Sequence, residues 1–184
     1  MFFKVTTPSG SLVVGVPLKV GDKAPDFELY DTELKLVKLS DLLAQGKVVV
    51  LAFFPGAFTS VCTKEMCSFR DRMALLEKAN AIVVGISVDS PFALRKFKEE
   101  NRLNFILLSD YNREVIKLYD VYHDPFPLPI ANKLRMTAKR SVFILTPPEG
   151  RIAYTWISEN PLVEPDYDEV IRVANEIASR LSKA

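Results

Sequence analysis

The run Val48–Phe54, VVVLAFF, stops at Pro55 and leaves few folds open to this chain. Its seven apolar residues do not alternate with polar ones, and most are β-branched or aromatic. A membrane span needs roughly 20 such residues, so this reads as a strand buried on both faces, of the kind found in parallel sheets covered by helices. Ile82–Val88 (IVVGISV) has the same character, and a helical pattern from about Ser60 to Ala79 separates the two.

Asp89, Ser90 and Pro91 then open a helix through about Asn101. Phe105–Leu108 is a third strand and Arg113–Tyr119 a short helix. Ser141–Leu145 and Ile152–Trp156 flank the turn Thr146–Gly150 as a hairpin, and Asp166–Leu181 closes the chain as an amphipathic helix. On the N-terminal side, Gly21–Leu29 is a turn leading to an extended piece. Leu34–Leu39 alternates loosely, and Ser40 caps a short helix. This order predicts an α/β protein with a central mixed sheet flanked by helices, a pattern that fits a thioredoxin-like fold with an N-terminal extension.

The 184 residues suit one domain over 1–184, with 1–17 as the extension, carrying turn chemistry at Ser9–Gly10. Residues 122–139 are Pro-rich and aperiodic, so they are expected as a long surface loop. A net charge of +1, spread evenly, suggests neither nucleic acid nor an anionic membrane as partner. The N-terminal apolar patches are too short and broken for a signal peptide, which makes the cytoplasm the expected compartment.

Both cysteines lie in PGAFTSVCTKEMC, Pro55–Cys67. In a reducing compartment two cysteines are no structural framework, and a bridge over so small a loop would remove little chain entropy. The strand ending at Pro55 delivers Cys62 to the first turn of the next helix, at a sheet edge where ligands bind in open α/β folds. Free backbone N–H groups and the helix dipole stabilise a thiolate there, and Thr59 is near enough to hydrogen-bond it. At roughly 100° per residue, Cys62, Met66, Phe69, Met73 and Leu76 share one face, with Cys67 roughly 140° away. Their Cα atoms would be about 8–9 Å apart in a regular helix, whereas a disulfide needs less than about 7 Å. A permanent disulfide is disfavoured; a transient one that unwinds the helix is not. Two inert core thiols remain an equal reading of the spacing. Cys-x4-Cys is poor zinc spacing, and His123 is the single histidine.

PGAFTSVC carries Pro-x3-Thr-x2-Cys, which resembles the signature of peroxiredoxins, thiol peroxidases on a thioredoxin-like fold. GDKAPDFEL, CTKEMCSFRD, VVGISVDSP and RSVFIL extend the resemblance over about residues 18–160. The Cys-x4-Cys spacing looks like the PrxQ branch, also called bacterioferritin comigratory protein, while FFPGAFTSVC is also similar to the one-Cys AhpE type. The resemblance implies Cys62 as the peroxidatic cysteine, Thr59 positioning thiolate and peroxide, and Pro55 shielding the sulfur. It implies Arg140 as the stabilising cation and Cys67 as the resolving cysteine. Arg135 and Lys139 are rivals for the cationic role, at spacings that do not fit. Glu65 matches an acidic position that orients the arginine, or is an ordinary first-turn glutamate.

The implied partners are hydrogen peroxide, organic hydroperoxides and a thioredoxin-like dithiol reductant, with no flavin, haem or metal and a monomeric or homodimeric state. The competing functions are a thioredoxin-like disulfide oxidoreductase, weakened by the missing Cys-x2-Cys, and a non-catalytic redox-sensing or holdase module. His123 is read as a surface residue. Phe53, Phe54, Phe58, Phe126 and Trp156 line either a substrate surface or the core.

Overall fold

The computed structural model describes residues 18–183 and, before them, the backbone pairing of β1 (Val5–Thr6) with β2 (Leu12–Val13). The expected turn at Ser9–Gly10 lies outside the described residues. The chain continues through β3 (Glu28–Asp31), β4 (Leu36–Lys38), α1 (Leu39–Leu43), β5 (Val48–Phe53), α2 (Ser60–Lys78) and β6 (Ala81–Ser87). Then come α3 (Pro91–Glu100), β7 (Ile106–Ser109), α4 (Val115–Leu118), β8 (Tyr122–His123) and β9 (Thr137–Ala138), followed by β10 (Ser141–Thr146), β11 (Arg151–Ile157) and α5 (Tyr167–Leu181).

One seven-stranded sheet has the order β11-β10-β5-β6-β7-β3-β4. Strands β5, β6 and β7 are parallel, and the strands on either flank are antiparallel, so the sheet is mixed as the sequence predicts. All six residues of β5 are buried because both faces are covered. Val48, Val50 and Ala52 pack with residues of α2, α3 and α5. Val49, Leu51 and Phe53 pack with residues of α1 and α4. Strand alternation thus assigns each β5 side chain to one of two cores. Gly85 lets α2 lie close to the sheet: a Cβ there would stand 2.6 Å from Leu107 Cδ2 and 3.3 Å from Met66 Sδ.

Three local expectations need correction: Ser40 as a helix cap, residues 122–139 as an unpaired surface loop, and His123 as a surface residue. The short helix α1 begins at Leu39, and Ser40 is not its cap; instead Asp26 Oδ1 accepts from Ser40 N–H at 2.9 Å, so a residue 14 positions away satisfies the first turn. Between Val121 and Lys139, β8 pairs antiparallel with β9 and closes the segment into a ribbon. That pairing turns His123 inward, where it is buried with its ring edge-on to Phe126. Burial, reinforced by nearby Lys139, pushes its imidazole below the ordinary range.

Candidate active site

Strand β5 ends with Phe54 N–H bonded to Ile86 O, and the chain then turns through Pro55–Thr59. Asp89, just beyond β6, fastens this loop: its Oδ2 accepts from Ala57 N–H (2.8 Å) and from Ser87 Oγ (2.7 Å). Phe58 sits in the left-handed region at φ 63°, unusual for a bulky side chain, and its ring meets Phe97 of α3 edge-on at 5.2 Å. Phe53 and Phe54 are core residues, whereas Phe58 is half exposed beside the site and Trp156 packs partly buried against the core. Pro55 is partly buried at the start of the loop.

Thr59 is the extended residue from which α2 starts, and Cys62 is the third residue of that helix. Cys62 therefore lies in the first turn, among N–H groups without intrahelical partners and at the positive end of a 19-residue helix. The Thr59 hydroxyl is not on the sulfur. It donates to Gly56 O at 3.1 Å, closing the loop on itself.

The buried face of α2 comprises Cys62, Glu65, Met66, Phe69, Met73 and Leu76. The apolar members follow the expected helical face; the charged one, Glu65, requires a partner. That partner is Arg140, which sits between β9 and β10. Cys62, Glu65 and Arg140 are 1%, 0% and 1% exposed. Arg140 Nη2 is 3.3 Å from Cys62 Sγ, and Nη1 donates to Glu65 Oε2. Nε and Nη2 both donate to Pro161 O, at 3.2 and 2.7 Å. A guanidinium has five N–H donors. These bonds use four, leaving one on Nη1 free among the described residues. Glu65 Oε1 likewise has no partner there. Burial pushes the Glu65 carboxyl up to about 7, against the pull of Arg140.

The rival cations are engaged elsewhere: Arg135 pairs with Asp124 and Lys139 with Glu159. Cys67 is half-buried on another side of α2, and both thiols are free. Its Sγ is 3.7 Å from Asn101 Oδ1 at the C-terminus of α3. Arg70 Nη1 donates to Asn101 O at 2.7 Å, and Asn101 Nδ2 to Phe97 O at 2.9 Å. Sequence reasoning did not reach Pro161, Asp89 or Asn101. Pro161 acts through a backbone carbonyl and has no residue-type signal; Asp89 stands in the quoted VVGISVDSP, where a helix-opening role concealed its loop contact.

A thiol in the first turn of a helix, held by a buried arginine on a mixed thioredoxin-like sheet, defines a thiol-reactive enzyme of that fold class. The AhpC/TSA family model matches residues 20–155. Peroxiredoxin Bcp of Escherichia coli is 44% identical over 106 residues, 58% of this chain and 67% of that protein. Peroxiredoxin Bcp of Bacillus subtilis is 37% identical over 139 residues, 76% and 85% of the two chains. Among solved structures, peroxidoxin BcpB of Mycobacterium tuberculosis matches with a TM-score of 0.69 and 31% identity, covering 90% of this chain and 97% of that one. The chain belongs to the AhpC/TSA family, in its Bcp (PrxQ) peroxiredoxin branch. It is a thiol-dependent peroxidase.

Proposed function

We propose that Cys62 is the peroxidatic nucleophile and Arg140 the cation that serves it. The sulfur attacks the terminal oxygen of a hydroperoxide, an S–O bond forms and the O–O bond breaks. The leaving oxygen takes a proton and departs as water or alcohol, and Cys62 becomes a sulfenic acid. Negative charge moves from sulfur to the leaving oxygen during this step. The guanidinium lies beside the sulfur, and its remaining Nη1 N–H can follow that charge at no reorganisation cost. Glu65 and the Pro161 carbonyl hold the guanidinium in place, Pro55 shields the sulfur, and Thr59 can turn its hydroxyl from Gly56 O toward the peroxide.

Cys67 is the resolving thiol. Its sulfur attacks the sulfenic sulfur, an S–S bond forms, the S–O bond breaks and hydroxide leaves as water after taking the Cys67 proton. Because both thiols lie on one helix, the first two turns of α2 must unwind. A thioredoxin-like dithiol in a reducing cytoplasm would then reduce the disulfide. The relatives' names support hydroperoxides as substrates, and no helix among the described residues is long and apolar enough to cross a membrane.

The observation that carries this reading is the 3.3 Å approach of Arg140 Nη2 to a buried Cys62 sulfur. Stopped-flow oxidation by hydrogen peroxide should be orders of magnitude faster than that of free cysteine; an equal rate would end the peroxidatic assignment. Intact-mass analysis of the oxidised chain should show the loss of two hydrogens, and finding only a Cys62–Cys62 dimer would remove Cys67 from the resolving role.

A further inference from the structure

One side of the Arg140 guanidinium is held by the Pro161 carbonyl, and that carbonyl belongs to a strap. Residues 158–166 leave β11 and run to the start of α5. Asn160 shapes the turn within them: its Oδ1 accepts from Leu162 N–H at 3.0 Å and its carbonyl from Val163 N–H at 3.1 Å. Pro161 is thereby set inward and buried, while Leu162 and Val163 point out. Side chains tie the strap at both ends. Near its start, Lys139 Nζ is 2.5 Å from Glu159 Oε1. Near its end, Glu164 accepts from Lys64 of α2 and, at 2.7 Å, from the Tyr167 hydroxyl. The Tyr167 ring also packs edge-on against Phe69, at 5.3 Å. The Glu164 side chain is 19% exposed and that of Lys64 72%, so the carboxylate is the anchored member of the pair.

We propose that this strap is a positioning element for Arg140, and that Glu164, acting through Lys64, is its positioning residue. The pair holds the strap on the first turns of α2, so that the Pro161 carbonyl fixes the guanidinium against Cys62. The proposal rests on the roles given above to Cys62, Arg140 and Cys67. It also makes a demand that general stabilisation would not. Lys64 lies between Cys62 and Cys67, within the stretch that must unwind before the disulfide forms. The pair therefore favours the first oxidation and opposes resolution, and weakening it moves the two steps in opposite directions.

The test compares the full wild-type chain with Glu164→Gln, Lys64→Met and the exchange Lys64→Glu/Glu164→Lys. Quenched-flow mixing with hydrogen peroxide, followed by alkylation and intact mass, times sulfenic acid and disulfide separately. Each single variant should form the sulfenic acid about fivefold more slowly, through a small misplacement of Arg140. Each should close the disulfide about threefold faster, as expected when an ion pair with one exposed member is lost. The exchange should return both rates to within about twofold of wild type. Unchanged first oxidation in both single variants, slowing of both steps together, or no recovery in the exchange would each overturn the proposal. A wild-type Cys62 no faster than free cysteine would instead overturn the peroxidatic reading beneath it, while a fast wild type beside unaltered variants condemns the strap alone.

Discussion

Cys62 and Cys67 stand five positions apart on one helix, yet their surroundings have little in common. Cys62 is sealed against the sheet, with a buried guanidinium 3.3 Å from its sulfur. Cys67 is half-buried at the seam with α3, where its sulfur is 3.7 Å from the Asn101 amide oxygen and interacts with the solvent-facing Arg70 guanidinium. The difference follows from helical periodicity, since five residues rotate a side chain roughly 140° and place it on another face. One helix therefore carries two thiols on different faces, which do not meet while it stays wound. In the proposed mechanism this ties resolution to the opening of the helix.

The largest expected effect comes from removing either sulfur. Cys62→Ser should abolish peroxide consumption altogether. Cys67→Ser should leave the first oxidation fast and accumulate sulfenic acid or an intermolecular disulfide, read by intact mass. If both variants lost the first step equally, the contrast between the two thiols would be wrong.

Next comes Arg140→Lys, which keeps the charge but loses the planar fork shared among Cys62, Glu65 and Pro161. Sulfenic acid formation should slow by about 10²-fold in stopped flow, the scale of a lost oxyanion donor. Disulfide closure, once the sulfenic acid exists, should change far less.

Glu65 predicts a pH dependence of stability on the Cys62 side alone. Burial holds its carboxyl at about 7, above its ordinary 4.5. Between those values the native state binds more protons than the unfolded chain, so stability falls as pH rises from about 4.5 to about 7 and levels off above. The fall should be on the order of 3 kcal/mol. Urea unfolding of Glu65→Gln across that range should lose this slope; an unaltered slope would place the titrating group elsewhere.

The smallest effect belongs to the Cys67 side. Asn101→Ala releases the sulfur and one bond to α3, and should speed disulfide closure by about twofold to threefold, on the scale of one weak hydrogen bond. No acceleration would mean that Asn101 does not restrain Cys67.

Much of this contrast is legible along the chain. The uninterrupted apolar run Val48–Phe54, the break at Pro55 and the helical spacing of Cys62, Met66, Phe69, Met73 and Leu76 are local patterns, and periodicity alone separates the faces of the two thiols. The family resemblance, through RSVFIL and CTKEMCSFRD, also pointed to Arg140 and Glu65. It did not lead to the hydroxyl geometry of Thr59, which bonds Gly56 instead. Nor does any local pattern foretell that His123 is buried, because the ribbon that encloses it pairs residues 14 positions apart.

The sequence by itself determined a doubly covered sheet, a thiol in the first turn of a helix, and a second thiol turned away from it. Those features depend on spacing over a few residues, which backbone geometry converts directly into faces and turns. The tertiary structure alone decided what surrounds the first sulfur. Strand β10 lies antiparallel beside β5 with Ser141 opposite Phe53, so Arg140 emerges where β5 gives way to the active-site loop, 78 positions from Cys62 in the chain. Helix α2 and the segment 158–166 bring Glu65 and the Pro161 carbonyl to the same guanidinium. Such an arrangement depends on sheet order and strand register, which long-range packing settles and local periodicity does not encode.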